Sequence, residues 1–417
     1  MPDAVHLSSI AGSPLLDSSG ARLGRVEDVV ARLDTGVAQP LIVGLKARIG
    51  GRELFVPIDR IEHLDPGAVR TRTTKLNLAR LERRPGEVLL RQDVLGRSLI
   101  DVTNARLVVA REVELVSENG VWRLAGIDAS FGARWRRLLP RGLRGEREPA
   151  AFIAWGDLEP FVAHVPTSRL RLAHRRLARL HPAQIADLVE AASHDEGEEI
   201  LEAVGQDKEL EADIFQELDD EHQLEFMRER SDTQVAAVLA RMDSDDAADL
   251  LMELDQDRRL PVLDQMPAAK RTKVLSLLGH NPETAGGLMN PDFVSVAEHS
   301  TVEQALELVR RSEIPADQIT TVVVTDADGH LAGTLPVVEL IKSPAHTTLS
   351  ALLEPGGPAV SADADLPEIA LLMSDFNLML LPVVDGDGVT IGVLAVDDVL
   401  EHTMPGDWRR RYGAARE

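Results

Sequence analysis

The stretch GHNPETAGGLMNPDF, residues 279–293, joins two parts of the 417-residue chain whose sequence patterns differ. Before it the sequence is acidic, with apolar residues at helical spacing, and after it come short β-branched runs with Asp-Gly turns. Pro282 and Pro291 bracket the pair Gly286-Gly287. Proline stops a helix, and glycine allows either backbone freedom or close packing of another segment. The stretch therefore predicts either a pivot between two rigid bodies or a fixed elbow.

The acidic side of this stretch, residues 180–278, contains an internal helical repeat. Its copies align without gaps as HPAQIADLVEAA (181–192), SDTQVAAVLARM (231–242) and DSDDAADLLMEL (243–254). Each begins with a capping residue or a proline, and each has apolar residues at helical spacing. Short helices of this kind cannot bury a face alone. The pattern predicts a stacked superhelix with the acids mostly on its outer surface.

The other side of the stretch is also duplicated. VVTDADGHLAGTLPVVELI (323–341) overlays VVDGDGVTIGVLAVDDVL (383–400) at an offset of 59 residues. Upstream, STVEQALELVRRSE (300–313) matches DADLPEIALLMSDF (363–376). Each copy predicts helix, strand, Asp-Gly turn, strand and helix, and the two copies are expected to pair about a pseudo-twofold axis. DADG and DGDG are interpreted as hairpin turns, because the downstream Glu of a calcium loop is missing.

The N-terminal region reads as small β structure in two copies of one unit. Residues 5–80 contain a hairpin signal at Gly50-Gly51, and residues 86–162 contain another at Asn119-Gly120. The segment LLDSSGARLGRVEDVV resembles a PRC-barrel domain, a small β-barrel that serves as an adaptor. The second copy carries the same resemblance more weakly. The resemblance implies binding or docking at this end of the chain.

Charge divides the chain sharply. Residues 1–180 hold 29 Lys and Arg against 21 Asp and Glu, a net charge of +8, whereas residues 181–417 hold 16 against 48, a net charge of −32. The acidic part is expected to repel nucleic acid and attract cations. Two basic segments, 135–147 and 168–180, are either ordinary linkers or sites that dock on an anionic membrane surface or on the chain's own acidic half.

Composition excludes several classes of function. Cysteine is absent, so disulfides, thiolate metal sites and cysteine nucleophiles are excluded, which fits a reducing cytoplasm. The start of the chain does not resemble a signal peptide, and no uncharged apolar run approaches the roughly 18 residues of a membrane span. No P-loop, GxSxG or HExxH motif is present, and the 12 histidines are scattered. We therefore expect a non-enzymatic cytoplasmic protein, either free or peripheral to the inner face of the membrane.

The duplicated α/β region resembles a CBS pair, and the helical repeat resembles the N-terminal cytosolic domain of the MgtE family of magnesium channels and transporters. The bridging TAGGLMNPDFVSV (284–296) carries the most specific match. The resemblance covers about 175–404 and implies an α+β multidomain fold: two PRC-like β-barrels, an α-helical superhelical domain and an α/β CBS pair. The expected boundaries are 1–82 and 83–167 for the barrels, 168–280 for the helical domain, 281–346 and 347–405 for the CBS repeats, and 406–417 for a tail.

That resemblance implies a magnesium-sensing function. The chain ends within a few residues of the second CBS copy, so we expect no pore of its own. The leading hypothesis is a cytosolic regulator that closes its acidic helical domain onto the CBS pair when Mg²⁺ binds. Its expected partners are a membrane magnesium transporter or another envelope protein, and a second copy of the chain through the CBS domains. The alternatives are a non-sensing scaffold and a switch that responds to adenosine nucleotides.

The resemblance also implies particular metal ligands. Asp245 and Asp249 match the family's helical-domain acids in DSDDAADLL, and Asp398 and Glu401 match its CBS acids in VDDVLE. A further family acid falls at Asn377, which offers a carbonyl oxygen without charge. For two of these acids a purely structural role is the alternative to metal binding. Asp245 suits helix capping, and Asp398 suits the N-terminal end of a helix dipole.

A nucleotide site is disfavoured by two residues. CBS pairs that bind adenosine nucleotides usually pair a Ser or Thr with an Asp three residues later. In the second copy Ala395 stands in place of the hydroxyl, which leaves only Asp398 to hold a ribose. In the first copy Pro336 and Glu339 occupy the two positions.

Overall fold

A computed structural model describes residues 3–33, 37–74, 79–130, 152–161, 174–316, 318–354 and 357–404. It divides into two compact units, Met1–Leu218 and Asp219–Glu417. The predicted order of β, helical and duplicated α/β regions is confirmed. The basic segment 135–147 and the tail 406–417 lie outside the described residues.

The first unit begins with a large β structure. Its strands are β1 (Asp3–His6), β2 (Pro14–Leu16), β3 (Arg22–Arg32), β4 (Leu41–Ile49), β5 (Arg52–Pro57), β6 (Ile61–Asp65), β7 (Ala68–Thr71), β8 (Ala79–Arg80), β9 (Glu87–Leu89), β10 (Ser98–Asp101), β11 (Arg106–Val109), β12 (Glu112–Glu118), β13 (Val121–Asp128), β14 (Phe152–Ala154) and β15 (Leu158–Pro160). Twelve of them form one sheet with the path β1-β12-β13-β4-β3-β2-β7-β6, from which β5, β8, β9 and β14 branch, and β11-β10-β15 form a second sheet. Both predicted hairpins are present, because β4 pairs with β5 around Gly50-Gly51 and β12 pairs with β13 around Asn119-Gly120.

This β structure is a repeat with an offset of 84 residues. The backbone N–H of Gly12 donates to the carbonyl of Val26 at 2.8 Å, and that of Gly96 donates to the carbonyl of Ala110 at 2.7 Å. The first strands of the two copies are exchanged, since β1 pairs with β12 and β9 pairs with β3. One hydrophobic core extends from Val5 to Leu158. The two copies therefore share one core, and the boundary at residue 82 stays a prediction.

Two buried carboxylates reinforce the exchange at equivalent positions of the repeat. Asp28 accepts the backbone N–H groups of Arg91 at 2.7 Å and Gln92 at 3.1 Å, in the helical turn Leu90–Val94 of the second copy. Glu112 accepts the N–H of Ser8 at 3.2 Å, in the short helix α1 (Leu7–Ile10) of the first copy. Each copy thus caps the other's first turn, which couples their folding.

Asp28 should make the free energy of unfolding of the two-copy β structure depend on pH. Burial raises the pKa of Asp28 to about 6, against the smaller opposing effect of its backbone hydrogen bonds. Because the folded state holds this proton more tightly than the unfolded chain, unfolding free energy should fall as pH rises from about 4 to 6, and then level off. The expected loss is at most about 3 kcal/mol, since each pKa unit corresponds to about 1.4 kcal/mol.

The measurement is urea unfolding at pH 4 and pH 7, followed by tryptophan fluorescence, to which Trp122 and Trp155 of the two-copy β structure contribute. Asp28→Asn should reduce the difference between the two pH values, because it removes one of the groups whose pKa is raised in the folded protein. The exposed Asp65→Asn serves as a matched control and should retain the wild-type difference. An Asp28→Asn protein with an unchanged pH difference would contradict this assignment.

The first unit continues with short helices. They are α2 (His174–Leu177), α3 (Pro182–Ala191), α4 (His194–Val204) and α5 (Lys208–Glu217). In α2, which ends the second basic segment, the Arg176 guanidinium donates to Glu159 on β15 at 2.7 Å and to the carbonyl of Gly156. Arg176 thus attaches the helices to the second barrel copy.

The second unit continues the helical repeat. Its helices are α6 (Asp220–Arg228), α7 (Asp232–Leu239), α8 (Ser244–Glu253), α9 (Gln256–Gln265) and α10 (Ala268–Leu277). Each helix packs against the second helix that follows it along the chain, so α7 packs on α9 and α8 packs on α10. The repeat positions predicted as core, Leu188, Val238 and Leu250, are all buried. This packing brings the N-terminal end of α8 beside α10.

The duplicated α/β region follows the connector. It contains α11 (Ala285–Leu288), β16 (Ser295–Ala297), α12 (Val302–Arg311), β17 (Thr321–Thr325), β18 (Leu331–Pro336), α13 (Val337–Lys342), β19 (Val360–Ser361), α14 (Leu366–Phe376), β20 (Leu380–Val384), β21 (Thr390–Ala395) and α15 (Val396–Thr403). In each copy the first strand is parallel to the second, which is antiparallel to the third. Asp326 and Asp385 each accept two backbone N–H groups of their own turn, which confirms the hairpin interpretation.

The connector is fastened to the second copy of this region. The N–H of Ala285 donates to Ala364 at 2.9 Å, and that of Gly286 donates to Ala362 at 2.8 Å. A Cβ at Gly287 would lie 2.4 Å from the carbonyl oxygen of Asn281, closer than real Cβ atoms approach. These glycines allow close backbone packing, so the structure supports the fixed elbow.

Candidate metal centre

Two helices of the second unit begin with acidic residues. Asp243 is the N-terminal cap residue of α8, and Asp245 and Asp246 lie in its first turn. Asp397 and Asp398 occupy the first turn of α15, directly after the last strand of the second α/β copy. Each position is favoured locally, because the N-terminal end of a helix attracts negative charge. The fold then brings the two helix ends together.

Asp245 is the central residue of this cluster. Its Oδ1 is shielded from solvent and has no hydrogen-bond partner among the described residues. Burial raises the pKa of Asp245 well above its usual range, and the charges of Asp246, Asp398 and Asp243 raise it further. A buried carboxylate oxygen without a donor is costly unless a proton or a cation compensates it.

Asp398 faces the same cluster from α15. Burial raises its pKa to about 7, with further contributions from Asp397, Asp243 and Glu401 and an opposing effect of His402. The structure therefore brings together Asp245 and Asp398, which the sequence assigned to one site. Helix capping does not account for Oδ1 of Asp245, which accepts no hydrogen bond within the described residues, although a backbone N–H group acts on the same carboxylate and opposes the rise of its pKa.

Asp243 is a member of the cluster that the sequence prediction did not include. Its Oδ2 accepts a hydrogen bond from Nε2 of Gln318, in the first α/β copy, at 2.8 Å. It also raises the pKa values of both Asp245 and Asp398. Its sequence signal was available, because it begins the same DSDD string as Asp245.

Lys270 of α10 is a second residue that the prediction missed. Its ammonium donates to Oγ of Ser244 at 3.0 Å and to the carbonyl of Met242. Ser244 is fully buried and donates to Asp292 of the connector at 3.1 Å. No sequence signal marks Lys270, because it reaches the cluster only through the packing of α10 on α8.

Asp249 belongs to a neighbouring, more open group. Its side chain reaches solvent, yet surrounding protein atoms limit its hydration and raise its pKa, with His402 opposing and Asp220 adding to the shift. Burial, Asp220 and Asp249 similarly raise the pKa of Glu253. Nδ1 of His402 lies 2.9 Å from the carbonyl oxygen of Asp398, so this group adjoins the buried cluster.

Two other predicted ligands lie at exposed positions. Glu401 is exposed on α15 and acts on Asp398 through its charge. Asn377 is exposed at the C-terminal end of α14, with the left-handed backbone angles φ 52° and ψ 48°. Asparagine is among the few residues that adopt this conformation readily, so its position has a structural explanation. No described interaction connects the Asn377 side chain to Asp245 or Asp398.

The donor set suits a hard divalent cation. Mg²⁺ prefers oxygen ligands and retains several waters, so two or three carboxylates from separate elements are enough to hold it. Oδ1 of Asp245 is buried without a hydrogen-bond partner among the described residues, and the charges of Asp398 and Asp243 act on the same carboxylate. Within the described residues, the carboxylate oxygens of Asp245, Asp398 and Asp243 do not all lie within 4.8 Å of one another, so these residues would hold such an ion through its waters or after α15 moves closer to α8.

Three family models match the chain. The model of the MgtE intracellular N domain matches residues 180–283, and the CBS domain model matches residues 285–346 and 357–404. The chain carries an MgtE intracellular N domain followed by a CBS pair. A PRC-barrel domain precedes them at residues 2–78. The carboxylate cluster lies between the MgtE N domain and the second CBS copy, since α8 belongs to the first and α15 to the second. These families describe transporter regulatory and CBS domains, not enzymes.

Curated relatives share only part of their length with the chain. The magnesium transporter MgtE of Thermus thermophilus is 37% identical over 138 residues, which are 33% of this chain and 31% of the relative. The magnesium transporter MgtE of Bacillus subtilis is 29% identical over 191 residues, 45% of this chain and 42% of the relative. The chain thus spans less than half the length of these relatives. Within the described residues, no helix combines the length and apolarity required to cross a membrane.

Solved structures agree with this assignment. The cytosolic domain of the Mg²⁺ channel MgtE in complex with ATP is 30% identical, with a TM-score of 0.51, and the match covers 55% of this chain and 94% of that one. The soluble part of a magnesium transporter, 24% identical, shares the fold with a TM-score of 0.51 over 55% of this chain and 90% of that one.

Proposed function

We propose that this chain is a Mg²⁺-responsive regulatory protein of MgtE-type magnesium transport, acting on the cytosolic side of the membrane. The observation that carries the proposal is the buried, unpartnered oxygen of Asp245 together with Asp398 at the junction of two domains. The similarity of the same two domains to the cytosolic domain of a Mg²⁺ channel supports it.

The carboxylates would act through repulsion and its removal. Two carboxylates about 6 Å apart repel by roughly 3 kcal/mol at an effective dielectric of about 20. A Mg²⁺ held by these carboxylates would supply positive charge that offsets this repulsion and would so favour contact between α8 and α15. The ion shifts the population only by its greater affinity for the closed arrangement. The hydrogen bond from Gln318 of the first CBS copy to Asp243 joins the helical domain to the CBS pair without a metal.

The test is titration of the full chain with MgCl₂, with KCl of equal ionic strength as the reference. We expect heat in calorimetry, protection of the 279–293 connector from proteolysis, and a smaller radius in solution scattering at millimolar Mg²⁺. The exposed Asp257→Asn is a matched control on α9 and should respond like the wild type. Absence of heat, protection and compaction would reject sensing and leave the scaffold alternative.

A homodimer is part of the proposal. Large apolar side chains are exposed on the CBS pair, namely Leu308, Val338, Ile341, Leu371, Phe376, Met379, Leu400 and Met404. Exposed apolar side chains of this kind favour a partner, and the proposed partner is a second copy of the chain. The scattering mass from the titration above decides the point, since a monomer would refute it. A membrane magnesium transporter is the proposed target of the assembly.

An adenosine nucleotide is the second candidate ligand, because a similar cytosolic domain was solved in complex with ATP. The residues at the two expected nucleotide positions of this chain disfavour nucleotide binding. Ala395 and Pro336 are the cap residues of α15 and α13, and neither side chain provides a hydroxyl. Repeating the calorimetry with ATP tests this alternative, and saturable heat would support it.

A further inference from the structure

Lys270 supplies a positive charge beside the carboxylate cluster. The charges of Asp292, Asp243 and Asp245 all act on its ammonium group. Its hydrogen bonds to Ser244 and to the carbonyl of Met242 hold it against the turn that begins α8. The side chain is half-buried, so screening by water is weaker than at the surface.

We propose that Lys270 is a built-in counter-ion that lowers the affinity of the carboxylate cluster for divalent cations. The proposal rests on the metal site of the proposed function and adds how its affinity is set. Without a metal, the ammonium compensates part of the negative charge of Asp243 and Asp245. When a divalent ion binds, the same ammonium repels it. The site would then respond only to abundant cations such as millimolar Mg²⁺.

A purely structural role for Lys270 predicts the opposite change in Mg²⁺ affinity when the residue is replaced. If its hydrogen bonds only orient the turn of Asp243 and Asp245, removing them would disorganise the site and weaken binding. If its charge dominates, removing it strengthens binding. At the separations of a shared cluster, one unit charge acting on a divalent ion corresponds to an affinity change on the order of tenfold or more.

The experiment is calorimetric titration of the full chain with MgCl₂ for wild type, Lys270→Met, Lys270→Gln and Lys270→Arg. We expect the Met and Gln variants to bind Mg²⁺ about tenfold more tightly, and the charge-conserving Arg variant to stay close to wild type. Lys270→Gln removes the charge but keeps an N–H donor for Ser244, so it tests the same prediction if the Met variant does not fold. Lys273→Met is the matched control, because Lys273 pairs with Asp292 of the connector and should change affinity less.

The outcomes separate this proposal from the one on which it rests. If wild type binds Mg²⁺ and the Met and Gln variants bind equally or more weakly, the counter-ion role is wrong and the metal site stands. If only the variants bind, Lys270 occupies the centre in place of a metal, which supports the counter-ion role. If no protein binds, both proposals fall.

Discussion

Asp245→Asn is expected to abolish the stabilisation by Mg²⁺ and to make the metal-free protein more stable than wild type. The substitution keeps the size of the side chain and removes a carboxyl group whose charged form is disfavoured by burial and by the charges of Asp246, Asp398 and Asp243. The expected gain in unfolding free energy without metal is about 1–3 kcal/mol, the usual scale for relieving a poorly compensated buried group. Urea unfolding in a chelator and at millimolar Mg²⁺ measures both effects.

Asp398→Asn should change stability in the same direction, because the two residues share the repulsion. Their double variant should gain less than the sum of the single gains, as expected for residues in one electrostatic cluster. Asp257→Asn should leave both measurements near wild type, since that residue is exposed and outside the cluster. A less stable Asp245→Asn protein in chelator would show that the carboxylate is compensated by groups of the protein itself. In that case the cation would be unnecessary.

Local sequence signals predicted the elements and their order well. Helix caps, apolar periodicity and the 59-residue duplication each depend on neighbours along the chain, and the helices and hairpins appear where these signals lie. The pairing of Asp245 with Asp398 came from the family resemblance, and the structure brings those residues together. Their role as metal ligands stays a prediction.

Long-range features were not predictable in the same way. The exchange of β1 and β9 between barrel copies depends on pairing across more than fifty residues, for which the sequence has no local mark. Lys270 likewise meets Ser244 only through helix packing. Asn377 shows a further limit, because its residue type suits a left-handed helix end, while its role as a ligand stays a prediction.

Gly287→Ala is expected to destabilise the second unit by about 3 kcal/mol. The added Cβ would meet the Asn281 carbonyl oxygen at 2.4 Å and the Cα of Pro282 at 2.5 Å. Both are backbone atoms, so no side-chain rotation relieves the overlap, and forced overpacking typically costs 1–3 kcal/mol or more. Replacing a helical glycine by alanine gains only about 1 kcal/mol, so the steric cost wins. Thermal unfolding of the full chain gives the measurement.

Alanine substitutions at two other glycines help to distinguish a fixed elbow from a flexible pivot. Gly286→Ala should cost less, since its closest contact is the His280 ring at 2.6 Å, a side chain that can move. Gly386→Ala is the control, because no atom lies within 4 Å of its added Cβ. A flexible pivot at residue 287 would accept alanine without loss or become more stable, because alanine restricts the unfolded chain. Only a closely packed elbow predicts a loss of stability that decreases in the order Gly287→Ala, Gly286→Ala, Gly386→Ala. A Gly287→Ala protein as stable as wild type would instead support a flexible pivot at these glycines.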